Sequence, residues 1–299
     1  MSSYHIPVMV GESVSGLNIS PEGIYVDLTF GGGGHSRAIL SKLKGGRLIA
    51  FDQDAESLKN RLDDKRFLLL QQNFRFLKYN LKYLGIGEVD GILADLGVSS
   101  HHFDEGGRGF TYRADAVLDM RMNREQEITA ADILNSYTPA ELERLFREYA
   151  EIKHPERLVS LLVRAREAAP FRTAGDLLAA LRPMTKGGPA NRFLSRLFQA
   201  LRIEVNGEME SLKEMLMQVP QVLRKGGRLV VISYHSLEDR LVKQFIRTGS
   251  FGPAEETGPL AKEEPPLRAV NRKVITPSAE ETRKNPRARS AKLRIAEKI

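Results

Sequence analysis

A run of four glycines, residues 31–34, constrains the fold of this chain more than any other feature. Apolar segments at 24–28 and 47–51 flank the run and predict two buried strands, and residues 36–44 between them have the spacing of a helix. Because glycine has no Cβ, the backbone can turn tightly here and approach a ligand closely. Strand, glycine loop, helix and strand together predict the first half of a nucleotide-cofactor fold.

The spacing of the glycines favours one kind of cofactor. A dinucleotide fingerprint needs a third glycine three residues after Gly33, where this chain has Ser36. The broken pattern argues against a pyrophosphate ligand and favours a cofactor without phosphate, such as S-adenosylmethionine. Asp52 ends the second strand, where a carboxylate can accept hydrogen bonds from two ribose hydroxyls. Asp27 precedes the loop and is expected to accept from the cofactor's ammonium group. The alternative is a glycine-rich turn that binds nothing.

The composition predicts a soluble, cytoplasmic protein with a sizeable core. A chain of 299 residues with 41% hydrophobic content is long enough for two domains. It contains no cysteine, which excludes a disulfide framework, and its start lacks the pattern of a secretory signal. No run approaches the ~18 apolar residues of a membrane helix. The net charge of +7 arises outside the first hundred residues, and it fits a polyanionic partner and a solvated basic surface equally well.

Strands and helices alternate through the first hundred residues, and a long helical stretch follows. The alternation predicts an α/β fold with a mostly parallel sheet and helices on both faces. The α/β pattern resumes near residue 206, and residues 270–276 and 291–296 are expected to close the sheet as an antiparallel pair. We therefore predict a cofactor-binding domain formed by residues 1–105 and 206–299, with a loop and an all-α inserted domain at 106–205.

The fourth predicted strand ends at Asp95, which is a candidate catalytic residue. Ligands of open α/β sheets bind beyond the carboxyl ends of the strands, so Asp95 is expected beside the glycine loop, facing cofactor and substrate. A helix-capping role for Asp95 is the alternative. His101 and His102 are adjacent and cannot share a metal ion as an i, i+4 pair does, so no metal site is predicted. His35 is expected to line the cofactor pocket.

The inserted segment begins with candidate substrate-binding residues. Between residues 108 and 122, Arg108 and Arg121 offer phosphate-binding groups and Phe110 offers a ring for base stacking. This combination suits single-stranded RNA, so the inserted domain is expected to recognise RNA. A salt-bridged structural loop explains the same residues equally well.

Further candidates follow the fifth predicted strand. Tyr234 offers a ring that could stack on a base, and Ser233 or His235 could hydrogen-bond that base. A serine nucleophile is excluded because no G-x-S-x-G elbow is present. Arg287 lies in a basic stretch that either contacts phosphate or leads into an edge strand. Asp95, Tyr234 and His235 form the predicted catalytic group.

Five motifs, in this order and spacing, resemble one known family across nearly the whole chain. They are DLTFGGGGHS from residue 27, DLGVSS from 95, RGF and LDMRM between 108 and 122, SYHSLEDR from 233 and NPRARSAKLR from 285. The family is that of the bacterial S-adenosylmethionine-dependent methyltransferases that modify the 4-amino group of a cytidine in the decoding region of 16S ribosomal RNA. The resemblance implies a class I, Rossmann-like methyltransferase sheet with a helical insertion, and the small (30S) ribosomal subunit as partner.

The resemblance also implies positions for the cofactor contacts. They fall on Gly33, Gly34, His35, Asp52, Phe74, Asp95 and His102. The chain departs from the family pattern at three places. His102 stands where the family usually has Gln, Tyr234 where it more often has Phe, and Ala116-Val117 where it more often has Gly-Pro.

Two other functional classes remain open at this point. One is a nucleotide-dependent oxidoreductase, which the broken glycine fingerprint disfavours. The other is a non-catalytic ribosome-assembly or RNA-binding factor that keeps a relic cofactor pocket, which the presence of Asp27, Asp52 and Asp95 disfavours. The sequence does not fix the oligomeric state, and a homodimer is one alternative.

Overall fold

The structure, a computed structural model, describes residues 7–97, 106–185, 190–251 and 264–299. The chain divides into two compact units. Unit 1 comprises Met1–Gly97 and Met209–Ile299, and unit 2 comprises Val98–Glu208. The boundaries predicted from the sequence fall eight residues later at the first junction and three residues earlier at the second. Among the described residues, no helix combines the length and the apolar composition that a bilayer crossing requires.

Unit 1 is built on a seven-stranded sheet with the order β3-β2-β1-β4-β5-β7-β6. Strands β1 to β5 run parallel, whereas β7 runs antiparallel to both β5 and β6. The strands are β1 (Ile24–Asp27), β2 (Arg47–Asp52), β3 (Phe67–Gln71), β4 (Val89–Asp95), β5 (Leu223–Ser233), β6 (Leu267–Ala269) and β7 (Lys292–Lys298). This mostly parallel order confirms the predicted fold class.

The α-helices of the described residues connect and surround this sheet or form unit 2. They are α1 (Val10–Leu17), α2 (Gly34–Leu40), α3 (Leu77–Tyr83), α4 (Ala130–Ser136), α5 (Pro139–Glu148), α6 (Glu156–Ala168), α7 (Ala174–Thr185), α8 (Ala190–Asn206), α9 (Glu208–Val222), α10 (Ser236–Thr248) and α11 (Ala279–Lys284). Short 3-10 helices span Ala55–Asn60, Phe74–Phe76, Gly106–Arg108 and Pro286–Ser290.

The sheet of unit 1 is covered on both faces. Along β2, Leu48 and Ala50 belong to one apolar cluster, whereas Ile49 and Phe51 belong to another. Because successive side chains of a strand point to opposite faces, the two clusters lie on opposite sides of the sheet. Burial on both faces explains why these strands read as continuous apolar runs.

Unit 2 is helical and has its own core. Leu142, Leu145 and Phe146 on α5 are fully buried there, among side chains from α4, α6, α7 and α8. Helix α5 begins as its sequence predicts, with Pro139 in its first turn. The Thr138 hydroxyl accepts from the Glu141 amide, and the Glu141 carboxylate accepts from the Thr138 amide.

The structure corrects the predicted closing strands. The strand expected at 270–276 is instead β6, followed by an isolated bridge between Ile275 and Leu293. The Asn271 side chain accepts from the backbone N–H of Ile295 at 3.0 Å. This side-chain contact replaces a backbone partner, so the regular ladder ends after Ala269. The strand expected at 291–296 is β7, which pairs with β6 as the predicted antiparallel partner.

Candidate active site

Three carboxylates and a tyrosine stand at one edge of the sheet of unit 1. Asp27 ends β1, Asp52 ends β2 and Asp95 ends β4, while Tyr234 directly follows β5. These strands are parallel neighbours, so their carboxyl ends lie at the same edge. Ligands of open α/β sheets bind at this edge, beside the point where the strand order reverses, here between β1 and β4.

The glycine loop joins this edge to α2. Gly33 has φ +74°, in the left-handed region that favours glycine, and it precedes the first residue of α2. A Cβ on Gly34 would lie 2.5 Å from Cγ of Pro7, closer than atoms can pack. At Gly32 an added Cβ would meet no atom within 4 Å, so the loop presents one open side. The backbone therefore needs glycine at two positions and leaves room for a ligand at a third.

Asp27 organises this loop from beneath. Its side chain is fully buried, and its oxygens accept from the Ser36 hydroxyl at 2.6 Å and from the Thr29 amide at 3.2 Å. Burial raises the pKa of Asp27, while the neighbouring His35 and the two hydrogen bonds oppose that rise. The predicted direct contact with a cofactor ammonium group is corrected accordingly: the carboxylate is enclosed, and it holds the loop in place.

Asp52 connects the glycine loop to the end of β2. Its carboxylate accepts from the Gly31 amide at 2.8 Å and from the Asp54 amide at 2.9 Å. Asn60 holds the same loop by donating to the Gly31 carbonyl at 3.1 Å. Each carboxylate oxygen has a second lone pair, so a half-buried Asp52 can still accept from the hydroxyls of a bound ribose.

Asp95 is the accessible carboxylate at the centre of the edge. Its side chain is 19% exposed, and its Oδ1 accepts from the Tyr234 hydroxyl at 2.8 Å. Its backbone amide donates to the Thr29 hydroxyl at 2.7 Å, which ties β4 to the loop after β1. Burial raises the pKa of Asp95 to about 6; His35 and the Tyr234 hydrogen bond oppose this rise, whereas the carboxylates of Asp27 and Glu238 add to it.

The side chain of His35, in the first turn of α2, lies beside Asp95. Its Nε2 lies 3.0 Å from the Val8 carbonyl oxygen, which can only accept, so Nε2 bears the hydrogen. Its Nδ1 lies 3.7 Å from Oδ2 of Asp95. The ring is buried, so it packs against the side of Asp95 that Tyr234 does not bind.

Of the residues that follow β5, Tyr234 contacts Asp95 and His235 caps the start of α10. The Tyr234 hydroxyl reaches Asp95, and burial together with that carboxylate raises the pKa of Tyr234, so the phenol remains a donor. His235 instead caps α10: its Nδ1 accepts from the Glu238 amide, and its Nε2 lies 3.1 Å from Oε1 of Glu238. Ser233 is buried, with its hydroxyl 3.4 Å from the Lys292 carbonyl oxygen.

These contacts disfavour the predicted role of Ser233 and leave that of His235 open. The Nδ1 atom of His235 caps α10, while its Nε2 lies close to Glu238 but forms no hydrogen bond with any described residue, so a catalytic role for His235 stays a prediction. The buried Ser233 hydroxyl faces the neighbouring strand β7. Tyr234 is therefore the member of this segment whose side chain reaches Asp95.

The predicted RNA contacts Arg108, Phe110 and Arg121 each have partners inside unit 2. The Arg108 guanidinium donates to the carbonyls of Arg121 and Met122, and it lies 5.4 Å above the Phe110 ring. Phe110 is 5% exposed, so its ring is not available to stack on a base. Arg121 pairs with Asp119 at 2.7 Å. For Arg108 and Phe110 these contacts favour the salt-bridged structural loop, whereas the Arg121 side chain is 22% exposed and its RNA contact stays a prediction.

Two further predicted contacts, Phe74 and Arg287, lie in short 3-10 helices of unit 1. Phe74 is half-buried in the 3-10 helix Phe74–Phe76, just beyond the carboxyl end of β3, where a cofactor contact stays a prediction. Arg287 is exposed in the 3-10 helix that precedes β7, and its phosphate contact also stays a prediction. His102 lies outside the described residues.

The sequence reasoning missed Thr29 and Glu238, which hold the site together. Thr29 bridges Asp27 and Asp95 through its amide and hydroxyl. Glu238 is buried and accepts from the Tyr234 amide at 2.8 Å, which fixes the backbone at the tyrosine. The spacing of His235 and Glu238 is that of a capping box, a signal that could have identified both roles.

We expect the activity of this site to depend on the ionisation of Asp95. If the carboxylate is the working acceptor, the reaction should slow as the pH falls through about 6, because protonation removes the acceptor. The Tyr234 hydrogen bond lowers this pKa, so Tyr234→Phe should move the acid limb to higher pH. The measurement is kcat/KM for the cofactor against pH for both proteins. Superimposable profiles would contradict the assignment.

The order of the strands, the glycine loop and the carboxylates at the carboxyl ends of the parallel strands together define a class I methyltransferase. A model described as the MraW methylase family matches residues 2–299, and the chain belongs to this family. Proteins named ribosomal RNA small subunit methyltransferase H are similar along their whole length. The one from Parabacteroides distasonis is 55% identical, covering 100% of this chain and 98% of its own. The one from Christiangramia forsetii is 49% identical, covering 100% and 99%.

Family membership confirms S-adenosylmethionine as the predicted cofactor. The residues present fit it. The open side of the loop at Gly32, the half-buried acid Asp52 and the partly exposed Asp95 offer a glycine surface and two carboxylate acceptors at one edge. A ligand with ribose hydroxyls and a positive charge matches these groups, because carboxylates only accept hydrogen bonds and favour cations.

Proposed function

We propose that this protein transfers a methyl group from S-adenosylmethionine to the exocyclic 4-amino group of a cytidine in the decoding region of 16S ribosomal RNA. The substrate is the small (30S) ribosomal subunit, in the cytoplasm. The five sequence motifs and the naming of the relatives as small-subunit rRNA methyltransferases support the RNA target. The observation that carries the chemistry is the Asp95 carboxylate, partly exposed and oriented by Tyr234 at the cofactor edge.

The chain holds each reactant with different groups. Gly33, Gly34 and His35 are the loop residues proposed to contact the cofactor, with Asp52 on the ribose and Phe74 beside the base. When bound, S-adenosylmethionine supplies an electrophilic methyl group on a positively charged sulfur. Asp27 holds the loop that receives it, through Ser36 and Thr29.

Asp95 acts on the target amine. The lone pair of a cytosine amine is delocalised into the ring, which makes the nitrogen a poor nucleophile. Asp95 accepts a hydrogen bond from the amine and orients the nitrogen, so that its lone pair can turn out of the ring plane. Tyr234 donates to Oδ1 of Asp95, so this contact is assigned to Oδ2, which His35 flanks at 3.7 Å. Positioning of this kind contributes on the order of 7–11 kcal/mol at best.

The target base must leave any stack before it can reach Asp95, because the reacting amine has to meet the methyl group in line. Phe110 is too buried to receive it. Tyr234 is half-buried and lies beside Asp95, so it is the aromatic side chain that we assign to the base. This contact would keep the hydroxyl on Asp95 and use the ring for the base.

The test is transfer of labelled methyl from S-adenosylmethionine to small subunits purified from cells that lack this protein, followed by nucleoside analysis. Label in 4-methylcytidine at one position is the expected result. Label in another nucleoside would retain the enzyme class and reject the target. Cofactor binding without any transfer, to mature subunits or to assembly intermediates, would support a non-catalytic assembly factor. The proposed homodimer stays a prediction, which light scattering can test.

A further inference from the structure

Helix α3 exposes a stripe of aromatic side chains. Leu77 and Leu81 are fully buried against unit 1. On the outer side, Phe76 is 47% exposed, Tyr79 is 70% exposed and Tyr83 is 82% exposed. Tyr79 and Tyr83 are four residues apart and lie on one face of α3, whereas Phe76 lies in the 3-10 helix that precedes it. Single exposed aromatic residues are common on surfaces, but three exposed rings close together in the chain, two of them on one helix face, point to an interaction site.

Cations flank this stripe. Residues 74–83 include Arg75, Lys78 and Lys82 and contain no acidic residue. Arg75 lies 5.8 Å above the Phe76 ring and is held there by an ion pair with Glu214 of α9. The Lys78 ammonium donates to Gln221 at 2.6 Å. Lys82 is exposed. We call Arg75, Phe76, Lys78, Tyr79, Lys82 and Tyr83 the α3 surface.

The α3 surface starts at the reactive edge of the sheet. Strand β3 ends at Gln71 with its carboxyl end beside that of β2, where Asp52 lies. The 3-10 helix Phe74–Phe76 follows and leads directly into α3. The first ring of the stripe, Phe76, is therefore two residues beyond Phe74, the predicted cofactor contact. A strand of RNA that reaches the reactive edge can continue along this helix.

The combination of rings and cations selects the occupant. Exposed aromatic rings with basic neighbours match single-stranded nucleic acid, whose bases stack on rings while phosphates meet Lys and Arg. A protein partner would also bury the rings, but lysine is depleted from the centres of protein interfaces. Arg75 is paired with Glu214, so the exposed Lys78 and Lys82 are the cations that favour RNA over protein.

We propose that the α3 surface binds a single-stranded segment of the substrate RNA next to the target nucleotide. Bases of this segment stack on Tyr79 and Tyr83, and its phosphates lie near Lys78 and Lys82. This inference rests on the proposed function, since it takes ribosomal RNA as the substrate. It adds a binding surface on unit 1, outside the catalytic edge and outside the inserted unit.

The test compares Tyr79→Ala/Tyr83→Ala with Tyr79→Phe/Tyr83→Phe, a control that keeps both rings. The probes are a short fluorescent single-stranded RNA containing the target sequence, and the small subunit itself. Base stacking is strong enough that the alanine pair should raise the Kd for RNA and the KM for subunits at least about 10-fold. The phenylalanine pair should stay near wild type. The Kd for S-adenosylmethionine should not change in either protein.

A second variant tests the charges separately. Lys78→Ala/Lys82→Ala should weaken RNA binding and reduce the slope of log Kd against log salt concentration by about 1.4, roughly 0.7 for each phosphate that a lysine no longer neutralises. A merely structural effect would not change this slope. All substituted side chains are exposed, so thermal unfolding should remain close to wild type for each variant.

Three outcomes would overturn the inference. The Tyr79→Ala/Tyr83→Ala protein could bind RNA as tightly as an active wild type does. That result would reject the inference about the α3 surface and leave the proposed function intact. The variant could become monomeric with unchanged RNA affinity, which would make the surface an interface between two copies. Wild-type protein could neither bind RNA nor transfer methyl, which would reject the proposed function together with this inference.

Discussion

Asp95→Ala should reduce methyl transfer by about 10²-fold or more while the protein stays folded, because misplacing a reacting atom by about 1 Å already costs on that order. The substitution removes the carboxylate that accepts from Tyr234 and is proposed to accept from the target amine. Burial raises the pKa of Asp95, so its ionised form is less favourable in the folded protein than in the unfolded chain. At neutral pH, alanine should therefore not lower the thermal midpoint much. The measurement is single-turnover transfer alongside thermal unfolding.

The same strand offers a control for this variant. Asp90 lies at the amino end of β4, where it accepts from the Ile24 amide at 2.7 Å and pairs with Arg224 at 2.7 Å. Asp90→Ala should lower stability and leave the rate per folded molecule nearly unchanged. Asp95→Asn keeps one acceptor oxygen, so it should retain more activity than Asp95→Ala. A folded Asp95→Ala protein with near-normal turnover would reject the assignment.

Asp52→Ala should weaken binding of S-adenosylmethionine by about 100-fold or more. Hydrogen bonds to a charged acceptor contribute ~1.5–3 kcal/mol each, and two ribose hydroxyls are proposed to donate here. The substitution also releases the Gly31 amide, so the glycine loop loses its anchor on β2. Both effects act on cofactor affinity rather than on the chemical step. Titration calorimetry measures the Kd, and transfer at saturating cofactor measures the rate.

An exposed acid nearby serves as the comparison for Asp52. Asp63 lies between β2 and β3 and is exposed, so Asp63→Ala should bind the cofactor as wild type does. The contrast with Asp95→Ala is also diagnostic: Asp52→Ala should raise KM for the cofactor, whereas Asp95→Ala should lower kcat. Wild-type cofactor affinity in the folded Asp52→Ala protein would exclude the ribose contact.

The catalytic edge could be predicted because its signals are local. The glycine run, Asp52 and Asp95 each follow a short apolar segment, and parallel strands bring their ends to one edge whatever the rest of the chain does. The helices of unit 2 could also be predicted, since Thr138, Pro139 and Glu141 form a capping box with proline in the first turn. The cofactor class followed from Ser36 in place of a third glycine.

The errors concern burial, which the sequence around a residue does not determine. The sequence suggested that Phe110 and Arg108 bind RNA. In the structure, the Phe110 ring is buried in the core of unit 2, and the Arg108 guanidinium donates to backbone carbonyls. Asp27 was expected to meet the cofactor, but Ser36 closes over it. The sequence also does not predict the α3 surface, because only the structure shows that Tyr79 and Tyr83 remain exposed.

Strands β4 and β5 are hydrogen-bonded neighbours, yet residues 96–222 separate them along the chain. Closing a long connection costs little extra entropy, about 0.6 kcal/mol for each doubling of its length. Relative to a connection of roughly ten residues, even a fully flexible one of this length would cost only about 2 kcal/mol more, and here most of it folds into its own unit. A sheet of this kind tolerates large changes in the insert at small cost in stability. The insert can diverge, shrink or be exchanged during evolution while Asp95 and Tyr234, one on each side of the junction, keep their register.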